Sequence, residues 1–165
     1  MAIADLLLSE LDHEAQTTRR VLERVPTAKL GWAPHPKSMT LGQLSMHVAI
    51  LPGAIAEMST LSPFEVPTFT QPAATSADEL LPTLDASVAK AHACLRGTDD
   101  AALGVMWRLV RGEQEVMALP RAALLRSLML NHWYHHRGQL SVYLRELNVP
   151  VPSIYGPSAD ENPFA

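Results

Sequence analysis

The chain has 165 residues, of which 47% are hydrophobic and 18% charged, and its formal net charge is −4. This length and apolar content predict one folded domain that spans residues 1–165, and they exclude an intrinsically disordered chain. The acidic balance without a basic patch argues against nucleic-acid binding and membrane-surface binding, and charged residues interrupt every apolar stretch well before the roughly 20 residues of a membrane span.

Two helices are predicted in the first third of the chain from the spacing of their apolar residues. The first covers 7–25, where apolar or small residues recur every three or four positions. It ends before Pro26, because proline disfavours the helical conformation in the residue that precedes it. The second covers 44–58 with the same spacing. Pro52 lies inside it, where it removes one backbone hydrogen bond and is expected to kink the helix.

Capping side chains indicate where the second and third helices begin. Ser38 or Thr40 is expected to cap the second helix, since a hydroxyl can accept a hydrogen bond from a free backbone N–H of the first turn. A third amphipathic segment covers 81–95. Ser76 precedes it, and Glu79 follows three residues later, which is the spacing of a capping box.

The second half of the chain combines strand-prone and helical patterns. Residues 105–119 form two strand-prone runs around a turn that contains Gly112, which predicts a small hairpin. Residues 125–147 repeat apolar and histidine positions at helical spacing, whereas 61–75 and 148–165 are predicted to be irregular. The fold class is therefore predicted to be all-α, a four-helix bundle with a small β-hairpin or irregular crossover before the last helix.

The chain contains a single cysteine, Cys94. It cannot form an intramolecular disulfide, and a metal cluster held by several thiolates is excluded. This cysteine usage fits a reducing, cytoplasmic setting. Cys94 itself is predicted to be a buried, inert residue and not a nucleophile.

The fourth predicted helix carries an informative group of histidines. His132 and His136 are four residues apart, so they lie one turn apart on one helix face. This spacing lets two imidazoles bind one ion at about 2.0–2.1 Å each. The alternative is a histidine pair that binds no metal and finds its contacts in the protein core or in solvent. His135 also lies near the face of His132, although periodicity favours His136.

A third inward-facing histidine is predicted on the second helix. Leu44 and Leu51 lie three residues before and four residues after His47, so all three share one face. Taken alone, His47 is more simply interpreted as a core histidine that has hydrogen-bond partners than as a metal ligand. Together with the histidine pair of the fourth helix, it makes a metal site the sharper hypothesis.

Three segments of the chain carry a family resemblance. Residues 32–40 (WAPHPKSMT), followed by His47, are similar to a Trp…Pro-Lys-Ser loop that leads into a helix with a metal histidine. Residues 132–140 (HWYHHRGQL) are similar to a His-x-x-His-His-Arg-Gly-Gln segment, and 151–158 (VPSIYGPS) are similar to a C-terminal tail. With these three segments the chain resembles the DinB-like superfamily of four-helix-bundle proteins over nearly its whole length.

The resemblance implies a metal site and a class of chemistry. His47 matches the first metal ligand of the family, His132 the second and His136 the third, whereas His135 matches a position that is not a ligand. Zinc or nickel is the implied divalent metal. Members with known activity use a low-molecular-weight thiol, as S-transferases with bacillithiol, mycothiol or glutathione, or as a maleylpyruvate isomerase. A small-molecule substrate and a homodimer are therefore expected.

The sequence supports less specific predictions for the residues near the predicted metal ligands. Arg137 is expected to serve as helix surface or packing, and Gly138 to allow close approach of another helix. Gln139 is a candidate for orienting a metal ligand. His13 and Glu14 are placed to approach a metal pocket, but solvent exposure is the simpler expectation. The large aromatic residues are expected to pack in the protein, and two of them, on a loop and on the hairpin, are placed to border a pocket mouth: Trp32 and Trp107.

Three functions are compatible with these features. The first is a metal-dependent enzyme in which His47, His132 and His136 hold one ion that activates a thiol. The second is a non-enzymatic module in which the ion stabilises the bundle or is sensed. The third is a structural or interaction protein whose histidines bind no metal, and the three matched histidines make it the weakest.

Overall fold

The computed structural model describes residues 2–68 and 70–165. Met1, at the chain start, and Phe69, inside the predicted irregular segment 61–75, lie outside the described residues. The described chain is mostly helical, which confirms the predicted bundle. Its four main helices and two short ones are α1 (Ile3–Leu22), α2 (Leu41–Ser59), α3 (Leu80–Leu95), α4 (Asp100–Gly104), α5 (Arg121–Leu124) and α6 (His132–Glu146).

A small sheet combines one strand from between α2 and α3 with two strands from between α3 and α6 in sequence. It contains β1 (Phe64–Glu65), β2 (Met106–Arg111) and β3 (Gln114–Pro120) in the order β1-β2-β3. β2 and β3 form the predicted antiparallel hairpin, and Gly112 takes a φ of +58° in its turn. β1 pairs parallel to β2 within the segment predicted to be irregular. Two residues carry no detectable period, so the sequence could not indicate this strand.

The hairpin is fixed to the bundle by a buried tryptophan. Trp107 on β2 is 1% exposed, and its indole N–H donates to the carbonyls of Met58 at 3.1 Å and Leu61 at 2.7 Å. These carbonyls lie at and just beyond the end of α2, where helical partners are missing. The contact stabilises a hairpin that would be marginal by itself.

The proline inside α2 is accommodated by the last helix. Pro52 has no N–H to donate to the carbonyl of Val48, four residues earlier. The indole N–H of Trp133, on α6, donates to that carbonyl at 2.8 Å. The helix continues through Pro52, and this hydrogen bond ties α6 to α2 one residue after His47.

A serine from α3 completes the contact with the middle of α2. The Ser87 hydroxyl donates to the carbonyl of Ile50 at 2.9 Å and accepts from the Gly53 N–H at 2.8 Å. A Cβ at Gly53 would lie 2.6 Å from the Ser87 carbonyl oxygen, so glycine is required for this close approach.

The predicted fourth helix begins with an unusual turn. A π-helix, Leu125–Asn131, joins α5 to α6 directly before His132. Its buried residues, Leu125, Met129 and Leu130, belong to the core. The sequence period in this stretch reads as α-helical, and the wider π turn depends on packing that local spacing does not report.

The last predicted segment is irregular, as expected, but it is packed against the bundle. The helix ends near Asn148, which has a φ of +57°, and Val151 and Ser153 further along are buried. Across residues 2–68 and 70–165, none of the helices combines the length and the apolar character needed to cross a bilayer.

Candidate metal centre

Three histidines from two helices meet in the bundle. We call His47, His132 and His136 the histidine cluster. Each contributes one potential ligand atom, and these atoms all lie within 4.8 Å of one another. The ring centroid of His47 lies 5.3 Å from the ring centroid of His132 and 4.5 Å from that of His136. All three side chains are partly buried. The cluster could hold a metal ion.

Burial keeps the histidine cluster neutral at pH 7. Burial, with a smaller contribution from charge on His136 and His132, lowers the pKa of His47 to about 4. Burial also lowers the pKa of His132 and of His136 below the ordinary value. A neutral imidazole has a free lone pair, which is the form that binds a metal.

Within the described residues, the protein does not supply suitable hydrogen-bond partners for all polar atoms of the histidine cluster. Nε2 of His47 is buried and has no hydrogen-bond partner among the described residues. Nε2 of His132 and Nε2 of His136 face each other at 2.6 Å. Two lone pairs at this separation repel unless a proton or a cation lies between them. A divalent ion that accepts all three lone pairs would remove the repulsion and the desolvation cost of about 1–3 kcal/mol for the unpaired nitrogen.

A glutamine on α6 orients one member of the cluster. Oε1 of Gln139 lies 2.7 Å from Nδ1 of His136. Because an amide oxygen only accepts, Nδ1 carries the proton and Nε2 keeps its lone pair towards the cluster. Gln139 thus occupies the orienting position predicted for it. His135 is exposed and lies outside the cluster.

An arginine and a glutamate are buried together. Arg137, expected to serve as helix surface or packing, is 1% exposed and packs in the interior, whereas the expectation that Glu14 lies in solvent was wrong, since it is 5% exposed. They form an ion pair at 2.6 Å. The Arg137 guanidinium also donates to the hydroxyls of Thr18 at 3.1 Å and Tyr155 at 2.6 Å. We call these four residues the arginine network.

The sequence contained a signal for this burial that the spacing argument missed. Glu14 lies three residues after Leu11 and four before Thr18, on the buried face of α1. Arg137 likewise lies four residues after Trp133 and three before a buried leucine. Both charges therefore occupy core positions of their helices, Glu14 on α1 and Arg137 on α6.

Other neighbouring residues have ordinary roles. The expectation of close helix approach at Gly138 was wrong, since among the described residues no atom lies within 4 Å of a Cβ built there. His13 is exposed, as expected. Cys94 is only partly buried, and burial raises the pKa of its thiol, which disfavours the reactive thiolate.

An apolar cavity of about 250 Å³ opens beside the histidine cluster. We call it the hairpin pocket. His132 forms part of its wall, and Trp107 borders it, as its position on the hairpin predicted. Trp32 lies elsewhere and packs edge-on against Tyr143, with ring centroids 5.4 Å apart. Further wall residues come from α2, the hairpin and the π-helix: Ile55, Met58, Leu109, Met117 and Leu128.

Comparisons with known proteins agree with the resemblance carried by the sequence motifs. The profile of the DinB family matches residues 1–163. The uncharacterized protein YrdA of Bacillus subtilis (strain 168) is 30% identical over 158 residues, which cover 95% of this chain and 90% of YrdA.

Two solved structures share the fold. A DinB-like protein from Bacillus cereus ATCC 10987 superposes with a TM-score of 0.70 at 25% identity, covering 90% of this chain and 95% of that protein. A DinB-like protein from Bacillus subtilis, YjoA, superposes with a TM-score of 0.64 at 20% identity, covering 88% and 95% of the two chains. A family match along nearly the whole sequence, a relative at 30% identity and the shared fold lead to one conclusion: the chain belongs to the DinB family.

Proposed function

We propose that this protein is a metal-dependent enzyme of the thiol S-transferase or isomerase type. In this proposal His47, His132 and His136 bind one divalent ion, zinc or nickel, and a low-molecular-weight thiol is the cosubstrate. One observation carries the proposal: three neutral imidazoles converge with their ligand atoms within 4.8 Å, and one buried nitrogen has no partner among the described residues.

The chemistry of the donor set suits an open site. Three neutral histidines with an ion leave room for a water or substrate in the coordination sphere, as catalytic zinc sites do. When bound, a divalent ion stabilises the thiolate form of a thiol that coordinates it. In S-transfer, the sulfur forms a bond to an electrophilic carbon while the leaving group departs, and the thiol proton passes to solvent or to the leaving group. In isomerisation, sulfur adds to a double bond and is later eliminated.

The protein's own residues hold the site in a reactive geometry. Gln139 fixes the tautomer and orientation of His136 through its 2.7 Å contact. The hydrogen bond from Trp133 to Val48 holds α6 against α2, so the two helices that carry the three histidines keep their relative position. The hairpin pocket beside His132 offers space for a substrate next to the cluster.

A non-enzymatic metal-binding module is the alternative function. A structural site of this kind usually has four protein ligands and no open position. Among the described residues the cluster contains three potential ligands, and a cavity adjoins one of them. These two features favour the enzyme. A module would instead lose much of its stability without metal and would consume no electrophile with any thiol.

The first experiment measures metal content by elemental mass spectrometry on protein without a histidine tag. We expect about one zinc or nickel ion per chain in the wild type and in His135→Ala, which removes an exposed histidine of the same helix. His47→Ala, His132→Ala and His136→Ala are each expected to lose the ion. Wild-type protein that binds neither metal after reconstitution contradicts the proposal.

The second experiment tests the reaction. Metal-loaded protein is incubated with bacillithiol, mycothiol or glutathione and an electrophile, and free thiol is followed over time. We expect thiol consumption that stops with a chelator and is absent in His47→Ala. Full metal occupancy without consumption in any combination supports the module instead.

The oligomeric state and cellular setting are further parts of the proposal. We propose a homodimer acting on a small molecule in the cytoplasm, without nucleic-acid or membrane partners. Light scattering coupled to size-exclusion chromatography distinguishes a dimer of about twice the 18.0 kDa chain from a monomer.

A further inference from the structure

The walls of the hairpin pocket have an unusual chemical uniformity. Two residues of α2, Ile55 and Met58, form one side, and Val66 and Pro67, just after β1, form another. Trp107, Leu109 and Met117 of the hairpin and Leu128 of the π-helix complete it. Within the described parts of the chain, every lining side chain is apolar except His132.

This uniformity determines what the pocket can bind. A charged or strongly polar group placed against these walls would lose its hydration without gaining a partner, which costs several kcal/mol in comparable settings. An apolar group gains free energy from the same transfer. The one polar side chain, His132, lies at the end shared with the histidine cluster, so a ligand is expected to keep its polar part at that end.

The volume and the wall composition indicate an aromatic ligand. A cavity of about 150 Å³ lined by Leu, Ile and Phe in another protein binds benzene. The hairpin pocket measures about 250 Å³, which leaves room for a second ring or a substituent. Trp107, which is 1% exposed and held by its two indole hydrogen bonds, gives the pocket a rigid inner edge. Met58 and Met117 are flexible and adapt to the shape of a ligand.

We propose that the hairpin pocket is the site for a neutral aryl group of one or two rings, carried by the electrophilic substrate. That the aryl group belongs to a substrate rests on the proposed function, whereas the aryl site itself depends only on the pocket. With the rings against the apolar walls, the polar, reactive end of the substrate lies towards His132. The enzyme is then specific for aryl electrophiles and discriminates against small polar ones.

The test is a binding measurement with a non-reactive probe. Calorimetric titration of the zinc-loaded protein with 2-naphthalenemethanol is expected to show saturable binding, at least tenfold tighter than binding of ethanol, which carries the same hydroxyl group without the rings. Met117→Asp places a charge in the wall and is expected to weaken probe binding at least tenfold. Met117→Trp fills the cavity and is expected to weaken it similarly, which covers the case that Met117→Asp folds poorly.

The neighbouring residue provides the matched control. Val116 precedes Met117 on β3, but it is not part of the pocket wall and is 47% exposed. Val116→Asp adds the same charge to the same strand and is expected to change the probe affinity less than twofold. Equal affinity of wild type, Met117→Asp and Met117→Trp for the probe, or equal affinity of wild type for the probe and for ethanol, overturns the aryl site.

Zinc content and thiol consumption measured on the same samples separate the two proposals. Zinc binding and thiol consumption without probe binding overturn the aryl site and leave the proposed function intact. Probe binding that depends on Met117, in a protein that holds neither zinc nor nickel, supports the aryl site while the proposed function fails.

Discussion

Two polar side chains lie next to each other on α6 and differ in whether the protein supplies partners for the polar atoms around them. His136 and Arg137 are adjacent in sequence but point to different sides of the helix. The arginine network pairs its charges internally, with a guanidinium–carboxylate distance of 2.6 Å and two hydroxyl partners. In the histidine cluster, Nε2 of His47 has no partner among the described residues.

This difference separates a structural role from a functional one. Buried polar groups are nearly always hydrogen-bonded, so a group that the fold leaves without a partner indicates an external ligand or strain. The arginine network also has two aromatic rings beside it, with the guanidinium carbon 5.3 Å from the ring centroid of Tyr134 and 5.1 Å from that of Tyr155. It therefore needs nothing further, whereas the histidine cluster gains from an ion.

The largest expected effect comes from breaking the arginine network. Arg137→Met leaves the Glu14 carboxylate buried without its cation, so we expect the free energy of unfolding to fall by about 3–5 kcal/mol. Urea denaturation measures this. Arg145→Met on the same helix removes a solvent-accessible ion pair with Asp160 and is expected to cost far less, because solvent screens that pair. Equal losses in the two variants would show that Arg137 has no special structural role.

The histidine cluster is expected to affect stability only through its ion. Zinc at a free concentration 100 times its dissociation constant should raise the free energy of unfolding by about 2.7 kcal/mol, because it binds the folded state alone. His47→Ala should abolish this increment, whereas His135→Ala should retain it. Thermal unfolding with and without zinc provides the measurement.

Without zinc, His47→Ala should be nearly as stable as the wild type. The lost packing is offset by removal of a buried nitrogen without a partner, which is worth about 1–3 kcal/mol. A severe loss of stability in zinc-free His47→Ala would show that His47 has a structural role like that of Arg137. It would contradict the distinction between the histidine cluster and the arginine network.

Gln139 is expected to tune the ion without stabilising the fold. Gln139→Ala should weaken zinc binding about 10- to 100-fold, since it releases the ring orientation of His136. Its zinc-free free energy of unfolding should stay within about 0.5 kcal/mol of the wild type. Competition with a chromophoric chelator measures the affinity, and Gln16→Ala, an exposed glutamine on α1, serves as the control. Unchanged zinc affinity in Gln139→Ala would remove this residue from the site.

The smallest effect is expected at Gly138, which directly follows Arg137 in sequence. A Cβ there meets no atom within 4 Å in the described chain, so Gly138→Ala should raise the free energy of unfolding by up to about 1 kcal/mol through helix propensity. Gly53→Ala should do the opposite, because its Cβ would overlap the Ser87 backbone. Destabilisation by Gly138→Ala, or a change in its oligomeric state, would show that another surface covers this face.

Much of the fold could be predicted because it depends on local patterns. The spacing of apolar residues located the four main helices, and the hairpin was recognised from strand-prone runs around Gly112. Of the two capping candidates for α2, Thr40 is the cap: its hydroxyl accepts from the Gln43 N–H, and the Gln43 side chain accepts from the Thr40 N–H. Each of these features involves residues close in sequence.

Features formed by distant partners escaped prediction. β1 has meaning only through its pairing with β2, more than 40 residues later in sequence. The ion pair of Glu14 and Arg137 joins α1 to α6, and its members look like surface residues until the partner is known. The π-helix before His132 depends on core packing of its apolar residues.

The sequence by itself determined that His132 and His136 share a helix face, because four residues make about one turn of any α-helix. It also determined that His47 belongs to another apolar face. Only the tertiary structure decided that the two faces meet, that Gln139 fixes His136, and that an apolar pocket adjoins His132. The physical reason is that helical period is a local property of the chain, whereas the partner of a buried polar atom depends on which helices pack together.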